Sequence, residues 1–464
     1  MTATNPAVQA AIDAMEAVAA EAAADPDRPL YHFCPPAGWM NDVNGPLFHE
    51  GWYHIFYQLN PFVPGFGDLI YWGHARSRDL VHWEHLAPAI WPSQEAGETG
   101  CWSGTACFDG DGRPMIFYTR AGGDGPFEQW AAVGDRDLVT WQKHPANPIL
   151  SLEKHGRPGF DGGWRDPFIF AKAGRTFMVI GAAGPGTPIY EATDPGLTSW
   201  RYQGLMTGIS GECPNFVELG GRWMLMTSPF GPVDYHIGEF SLDTLRFEAD
   251  THGTLEKTGC FYGTNVLLDD KGRCIFLGRL LDFGPGRKWN GCMALPRLLS
   301  LGPDGLPRQE PVPELRVLRR NERTLASFAV DDQCVPIAGI EGEALELIVE
   351  LAPENGATAG LILRHSPEND GGVEIAFDGR SLTIADRSFD CPPVSGSQAL
   401  KLHVFLDRSV IEVFANDGAQ VATPVVLPVG PGRGVAAFSR GGRSEVRSLQ
   451  AWELAPAQPV WGGA

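Results

Sequence analysis

A glycine-anchored turn leading into an apolar strand occurs five times in this chain. The five begin Gly51-Trp52-Tyr53-His54, Gly112-Arg113-Pro114-Met115, Gly174-Arg175-Thr176-Phe177, Gly221-Arg222-Trp223-Met224 and Gly272-Arg273-Cys274-Ile275, at intervals of roughly 50–60 residues. A second repeat lies between them: Asp79-Leu80-Val81-His82-Trp83, Asp137-Leu138-Val139-Thr140-Trp141 and Gly196-Leu197-Thr198-Ser199-Trp200. Strand units of this period cannot each bury an apolar face alone. Stacking them as four-stranded blades around a channel is the closed solution. Five copies predict a five-bladed β-propeller.

The flanks read differently. Residues 5–24 carry Val8, Ile12, Met15 and Val18 at helical spacing, which predicts an amphipathic helix packed on the main body. Asp25-Pro26-Asp27 ends it, because proline cannot continue a helix. From about Leu325 to Leu454 alternating strands return, at Leu345 to Leu351, Gly360 to His365, Val373 to Phe377 and Leu402 to Phe414. Polar turns separate them and predict an antiparallel β-sandwich. The tail from Pro456 to Ala464 is expected to be loosely ordered. The expected organisation is all-β: a helical extension over 1–28, the propeller over 29–320 and the sandwich over 321–456.

Charge and cysteines limit the partners. The net charge of -20 repels a phosphate polymer, so nucleic acid is excluded, whereas a neutral sugar feels no such field. No apolar run reaches the roughly 18 residues of a membrane span. Nine dispersed cysteines without a CxxC fit a reducing compartment. With no basic-then-apolar leader at the N-terminus, the expected location is the cytoplasm. His82 and His85 flank Trp83 inside the structural repeat, so neither is expected to bind metal, and no cofactor is expected.

The strand before each glycine begins at Asp42, Ser103, Asp166, Glu212 and Tyr262. Equivalent positions in a propeller lie on one ring at one mouth of the channel, so these side chains are expected to converge on a pocket. Asp42 alone, between Asn41 and Asn44, would read as a turn aspartate. Three carboxylates on one ring call for another explanation, because carboxylates are rarely buried without a purpose. Retaining glycoside cleavage needs two of them about 5–5.5 Å apart, one to attack and one to protonate the leaving oxygen. Asp42, with its short side chain, suits the attack, and Glu212, beside apolar Phe216, suits the acid. Asp166 can hold sugar hydroxyls, with Arg165 keeping it ionised. Trp39, Phe66, Trp102 and Trp289 offer flat faces for sugar rings, and Cys213 reads as a small buried contact.

Trp39-Met40-Asn41-Asp42-Val43-Asn44-Gly45, Trp102-Ser103-Gly104, Trp164-Arg165-Asp166-Pro167 and Glu212-Cys213-Pro214 resemble the signature motifs of glycoside hydrolase family 32, the invertase, inulinase, levanase and fructosyltransferase group. The likeness continues through Tyr71-Trp72-Gly73-His74, Phe261-Tyr262-Gly263 and Leu295-Pro296-Arg297 to Phe405-Leu406-Asp407-Arg408-Ser409 and Glu412-Val413-Phe414. The resemblance implies a five-bladed propeller joined to a β-sandwich, acting by retention on terminal β-D-fructofuranosyl units of sucrose, fructo-oligosaccharides or fructans. It implies Asp42 as nucleophile, Glu212 as acid/base and Asp166 as transition-state stabiliser. Asn41, Gln58, Ser103, Arg165 and Tyr262 would line the fructosyl pocket, and Phe66 stands where tryptophan is usual.

Three departures stand out: Val43 replaces a proline, Arg120 a glycine, and Arg279 a tryptophan. Arg279 is expected either to bind a hydroxyl or anionic group of the substrate or to pair with Asp282. A fructosyltransferase and a non-catalytic sugar-binding protein are the alternative readings. The three carboxylates together speak against the second.

Overall fold

The computed structural model describes residues 5–123, 126–157, 159–160, 163–281, 283–368, 372–393, 397–427 and 430–461. Each propeller blade is built on four antiparallel strands, consecutive in the chain except in the fifth blade. The innermost are Gly38–His49, Gly100–Phe108, Arg165–Lys172, Glu212–Leu219 and Phe261–Leu268. Their hairpin partners are Trp52–Asn60, Pro114–Ala121, Arg175–Gly181, Arg222–Ser228 and Cys274–Leu280. The five recurring glycines occupy these hairpins with φ between +71° and +81°, a conformation that penalises any Cβ. The tryptophan repeat also has a local cause. Leu80, Leu138 and Leu197 adopt positive φ in tight turns. The indole N–H of Trp83, Trp141 and Trp200 donates to their carbonyls at 3.2, 2.9 and 2.9 Å.

The ring closes through Trp289–Asn290, which leaves the fifth blade and pairs in parallel with Gly38 and Trp39 of the first. Up to Trp461 the C-terminal tail corrects the expectation of a loose end, and residues 462–464 of that expectation lie outside the described residues. Val460–Trp461 pairs with Glu84 and His85, and the Trp461 ring lies 5.5 Å from His85. The unpaired edge of the first blade supplies the hydrogen-bond partners that hold it. The N-terminal helix runs Pro6–Ala23, with the Asn5 side chain accepting from the Ala7 N–H at 2.9 Å. Its buried stripe is Val8, Ala11, Met15 and Ala22, while Ile12 and Val18 are only half-buried. Among the described residues no helix is long and apolar enough to cross a membrane.

Two further sheets form the sandwich. One orders its strands Arg319–Leu325, Arg443–Leu454, Ala344–Pro353, Leu400–Asp407, Val410–Ala415 and Gln420–Ala422. The other orders Cys334–Glu341, Gly434–Arg440, Thr358–His365, Val373–Phe377, Ser381–Ile384 and Arg387–Asp390. The segment expected as one strand from Leu402 to Phe414 is a hairpin, turning at Arg408 with φ +50°. That turn grips the chain entering the propeller. The Asp407 carboxylate accepts the N–H groups of Leu30, Tyr31 and His32 at 2.6, 2.9 and 3.0 Å. The His32 ring then spans Asp407 and Glu412 at 2.7 and 3.1 Å, and Glu412 accepts from Arg297 of the fifth blade at 2.7 Å. All four side chains are shut off from solvent.

Candidate active site

Every innermost strand loses register near its start. The slips fall between Met40 and Val43, Cys101 and Gly104, Arg165 and Pro167, Glu212 and Asn215, and Tyr262 and Asn265. Each is a single-residue bulge, which bends the strand and re-aims its side chains. All five ring residues lie at these bulges. Register also corrects the expectation of one equivalent position. Glu212 and Tyr262 are the last paired residues before the bulge. Asp166 comes one residue after its paired neighbour, and Asp42 and Ser103 come two after theirs. Counted to where pairing resumes, Asp42, Ser103 and Asp166 share one place, just before Val43, Gly104 and Pro167, whereas Glu212 and Tyr262 come three before Asn215 and Asn265.

Backbone strain marks the same places. Asp166, Cys213 and Gly263 take φ of +61°, +46° and +55°. A Cβ on Gly263 would collide with the Asp42 carboxylate, so that glycine makes room for the acid. Non-glycine residues hold such dihedrals only where the surroundings enforce them, and active sites are a common setting.

The side chains converge. The Ser103 hydroxyl donates to Asp42 Oδ2 at 2.6 Å, and Cys213 Sγ lies 3.5 Å from that oxygen and 3.8 Å from Asp166 Oδ2. The Cys213 N–H donates to Asp166 Oδ2 at 3.1 Å, and the Asp166 N–H donates to Thr119 Oγ1 at 2.8 Å. Arg165 reaches both remaining acids: Nη2 donates to Glu212 Oε1, and Nε lies 3.7 Å from Asp166 Oδ2. The Tyr262 hydroxyl lies 2.8 Å from Glu212 Oε2 and 2.7 Å from the Ser228 carbonyl, and accepts the Phe230 N–H at 2.9 Å. The Asn41 amide donates to Gln58 Oε1 at 2.6 Å. Arg279 Nε lies 3.9 Å from Asp42 Oδ1, with the guanidinium over the Tyr262 ring at 4.9 Å.

Several expectations are corrected here. Phe216 does not face Glu212; its ring stacks on Trp223 at 4.5 Å and meets Phe170 at 5.1 Å. Glu212 has a guanidinium and a phenol for neighbours instead. Arg165 does not keep Asp166 low: burial pushes that carboxyl up to about 7 against the pull of Arg165, and the charges of Glu212 and Asp42 push the same way as burial. Trp289 is fully buried against Phe283 at 4.7 Å, away from any sugar face. The other aromatics run in series: Trp39 meets Phe66 at 5.7 Å, Phe66 meets Trp102 at 6.1 Å, and Trp102 meets Phe127 at 4.8 Å. Phe66 is 65% exposed at their centre, whereas Trp39 is buried, which corrects its expected place as a face for a sugar ring. Arg120 braces a loop, donating to the carbonyls of Gly122 and Ala96 at 2.8 Å each. Asp282, the proposed partner of Arg279, lies outside the described residues.

The raised Asp166 has a measurable consequence. Its folded form keeps a proton that the unfolded chain releases near 3.8, so the folded state is disfavoured progressively from about pH 4 to pH 7. Asp166→Asn is expected to raise stability at pH 8 by on the order of 2–4 kcal/mol and to change it little at pH 4. Thermal unfolding at the two pH values checks this. An equal shift at both would contradict it.

Acids that can attack and protonate, set beside the exposed ring of Phe66, are equipment for cutting bonds between sugars, and the propeller that carries them is a glycoside hydrolase. Residues 32–311 match the model of the glycosyl hydrolases family 32 N-terminal domain, and residues 314–453 match the family's C-terminal model. The chain is 29% identical to a sucrose-6-phosphate hydrolase of Bacillus subtilis, over 93% of this chain and 95% of the relative. It is also 29% identical to a levanase of the same organism, over 94% of this chain and 71% of the relative. The crystal structure of fructan 1-exohydrolase IIa from Cichorium intybus superposes with a TM-score of 0.85 at 25% identity, covering 95% of this chain and 99% of that one. The chain belongs to glycosyl hydrolases family 32.

Proposed function

We propose that the protein is a retaining β-fructofuranosidase that releases terminal fructose from sucrose, fructo-oligosaccharides or fructans. One observation carries the reading: two carboxylates, linked to Asp166 through Cys213 and Arg165 respectively, have unlike surroundings. Asp42 receives short hydrogen bonding from a neutral serine, while Glu212 is held between Arg165 and Tyr262. The relatives' names add support, since sucrose 6-phosphate, levan and fructan all present a fructosyl unit.

In the first step Asp42 bonds to the anomeric carbon as the glycosidic C–O bond breaks, and Glu212 gives its proton to the departing oxygen. The Tyr262 hydroxyl has a single proton, and the Ser228 carbonyl can only accept. Shared between Glu212 Oε2 at 2.8 Å and the Ser228 carbonyl at 2.7 Å, that hydroxyl holds the Glu212 carboxyl in place. In the second step the Glu212 carboxylate takes a proton from water, whose oxygen displaces Asp42 and restores both acids. Asp166 binds sugar hydroxyls, and its two protonation states interchange near neutrality.

Product analysis after incubation with sucrose, kestose, inulin and levan tests the proposal. Free fructose is the expected product. Longer or cyclic fructosides without free fructose would make it a transferase, and binding without turnover would make it a sugar-binding protein.

A further inference from the structure

We propose that a cavity between the sandwich and the chain at Pro26 binds a phosphate-like oxyanion, either free phosphate or the phosphoryl group of a sugar phosphate, with Arg364 at its base. The cavity measures about 210 Å³, and its lining includes Pro26, Glu343, Arg364, Arg408, Gly432 and Arg433. Water takes about 30 Å³ per molecule in the liquid, so there is room for a group of several heavy atoms.

Arg364 is placed there by the device that builds the active site. Pairing slips between Leu363 and His365, leaving Arg364 as the bulged residue with φ +56°. Gly432 is packed against its backbone so closely that a Cβ there would strike the Arg364 carbonyl. The Arg364 residue is 3% exposed, yet its Nε and Nη2 have no hydrogen-bond partner. These two atoms lie along one edge of the guanidinium, spaced to meet two oxygens of a tetrahedral anion. A buried cation without a contacting acid is costly, and a strained backbone that holds one in place points to a role.

The surroundings add positive charge. Arg408 Nε and Arg433 Nη1 both donate to Glu343, at 3.1 and 2.9 Å, so two guanidinium groups share one carboxylate. Arg408 Nη1 also reaches the carbonyls of Asp25 and Arg28 at 3.3 and 3.1 Å, tying the cavity wall to the N-terminal segment. Asp27 acts on Arg364 through its charge, but its own carboxylate is engaged by Arg287. Three arginines and one carboxylate therefore line the cavity in a protein whose net charge is -20.

Calorimetric titration of the full chain with inorganic phosphate, glucose 6-phosphate and glucose tests the site. Both phosphates are expected to bind and glucose is not. Tighter binding of glucose 6-phosphate would assign the sugar phosphate, and equal binding would assign free phosphate. Arg364→Met is expected to abolish binding, and Arg433→Met to weaken it about tenfold or more. Arg433 is half-exposed, so its variant keeps the test decisive if Arg364→Met does not fold. Arg279→Leu is expected to leave phosphate binding unchanged. Absence of binding at millimolar phosphate, unchanged affinity in Arg433→Met, or loss in Arg279→Leu would each overturn the proposal.

Discussion

Asp42→Asn is expected to lose about 10⁴-fold or more in kcat on sucrose or a fructan while unfolding at nearly the same temperature as the parent. The amide keeps the shape and can still meet the Ser103 hydroxyl, but it cannot form the bond to the anomeric carbon. Glu212→Gln is expected to lose about 10²–10⁴-fold, the range for general acid–base catalysis. The two variants should differ in character. A fructoside with an acidic leaving group needs little protonation, so it should recover much of the Glu212→Gln loss and little of the Asp42→Asn loss. Rates measured on an aryl fructoside and on sucrose separate the roles, and equal recovery in both variants would refute them.

The second large effect concerns stability. Glu412→Gln is expected to cost about 3–5 kcal/mol, because it leaves Arg297 and His32 buried with one acid removed from between them. The same cluster predicts a dependence on pH. Burial alone would lower His32, but its bonds to Asp407 and Glu412 raise it to about 9. The unfolded histidine releases its proton near 6.5, so the folded state binds more protons between the two values. The stabilisation is fully present below pH 6.5 and declines as pH rises through 9. Urea unfolding midpoints should fall across this window in the parent and stay flatter in His32→Gln. A parallel fall in both would remove His32 as the cause.

These effects arise from features of unequal visibility. The hairpin glycines are legible because a positive φ restricts the residue type. The tryptophans are legible because each indole answers a turn carbonyl three residues earlier. Both causes are local, so they repeat with the blades. The bulges are not local: a slip in register depends on the partner strand, and strand alternation carries no sign of it. The five ring residues could be found by alignment to the glycines, but not their staggering. Thr119 and Phe230 act on Asp166 and Tyr262 through one backbone N–H bond each, which leaves little trace in residue type. The sign of the Asp166 shift was hidden for a related reason: burial is set by the tertiary fold, while Arg165 is visible next door. Val460 and Trp461 join a sheet whose other strands lie hundreds of residues away, beyond any local pattern.

The most direct test is the configuration of the methyl fructofuranoside formed when the enzyme turns over sucrose in dilute methanol. Attack by Asp42 followed by displacement inverts the anomeric carbon twice, so the account predicts the methyl β-fructofuranoside. The α anomer as first product would mean a single displacement, and would remove Asp42 as the nucleophile.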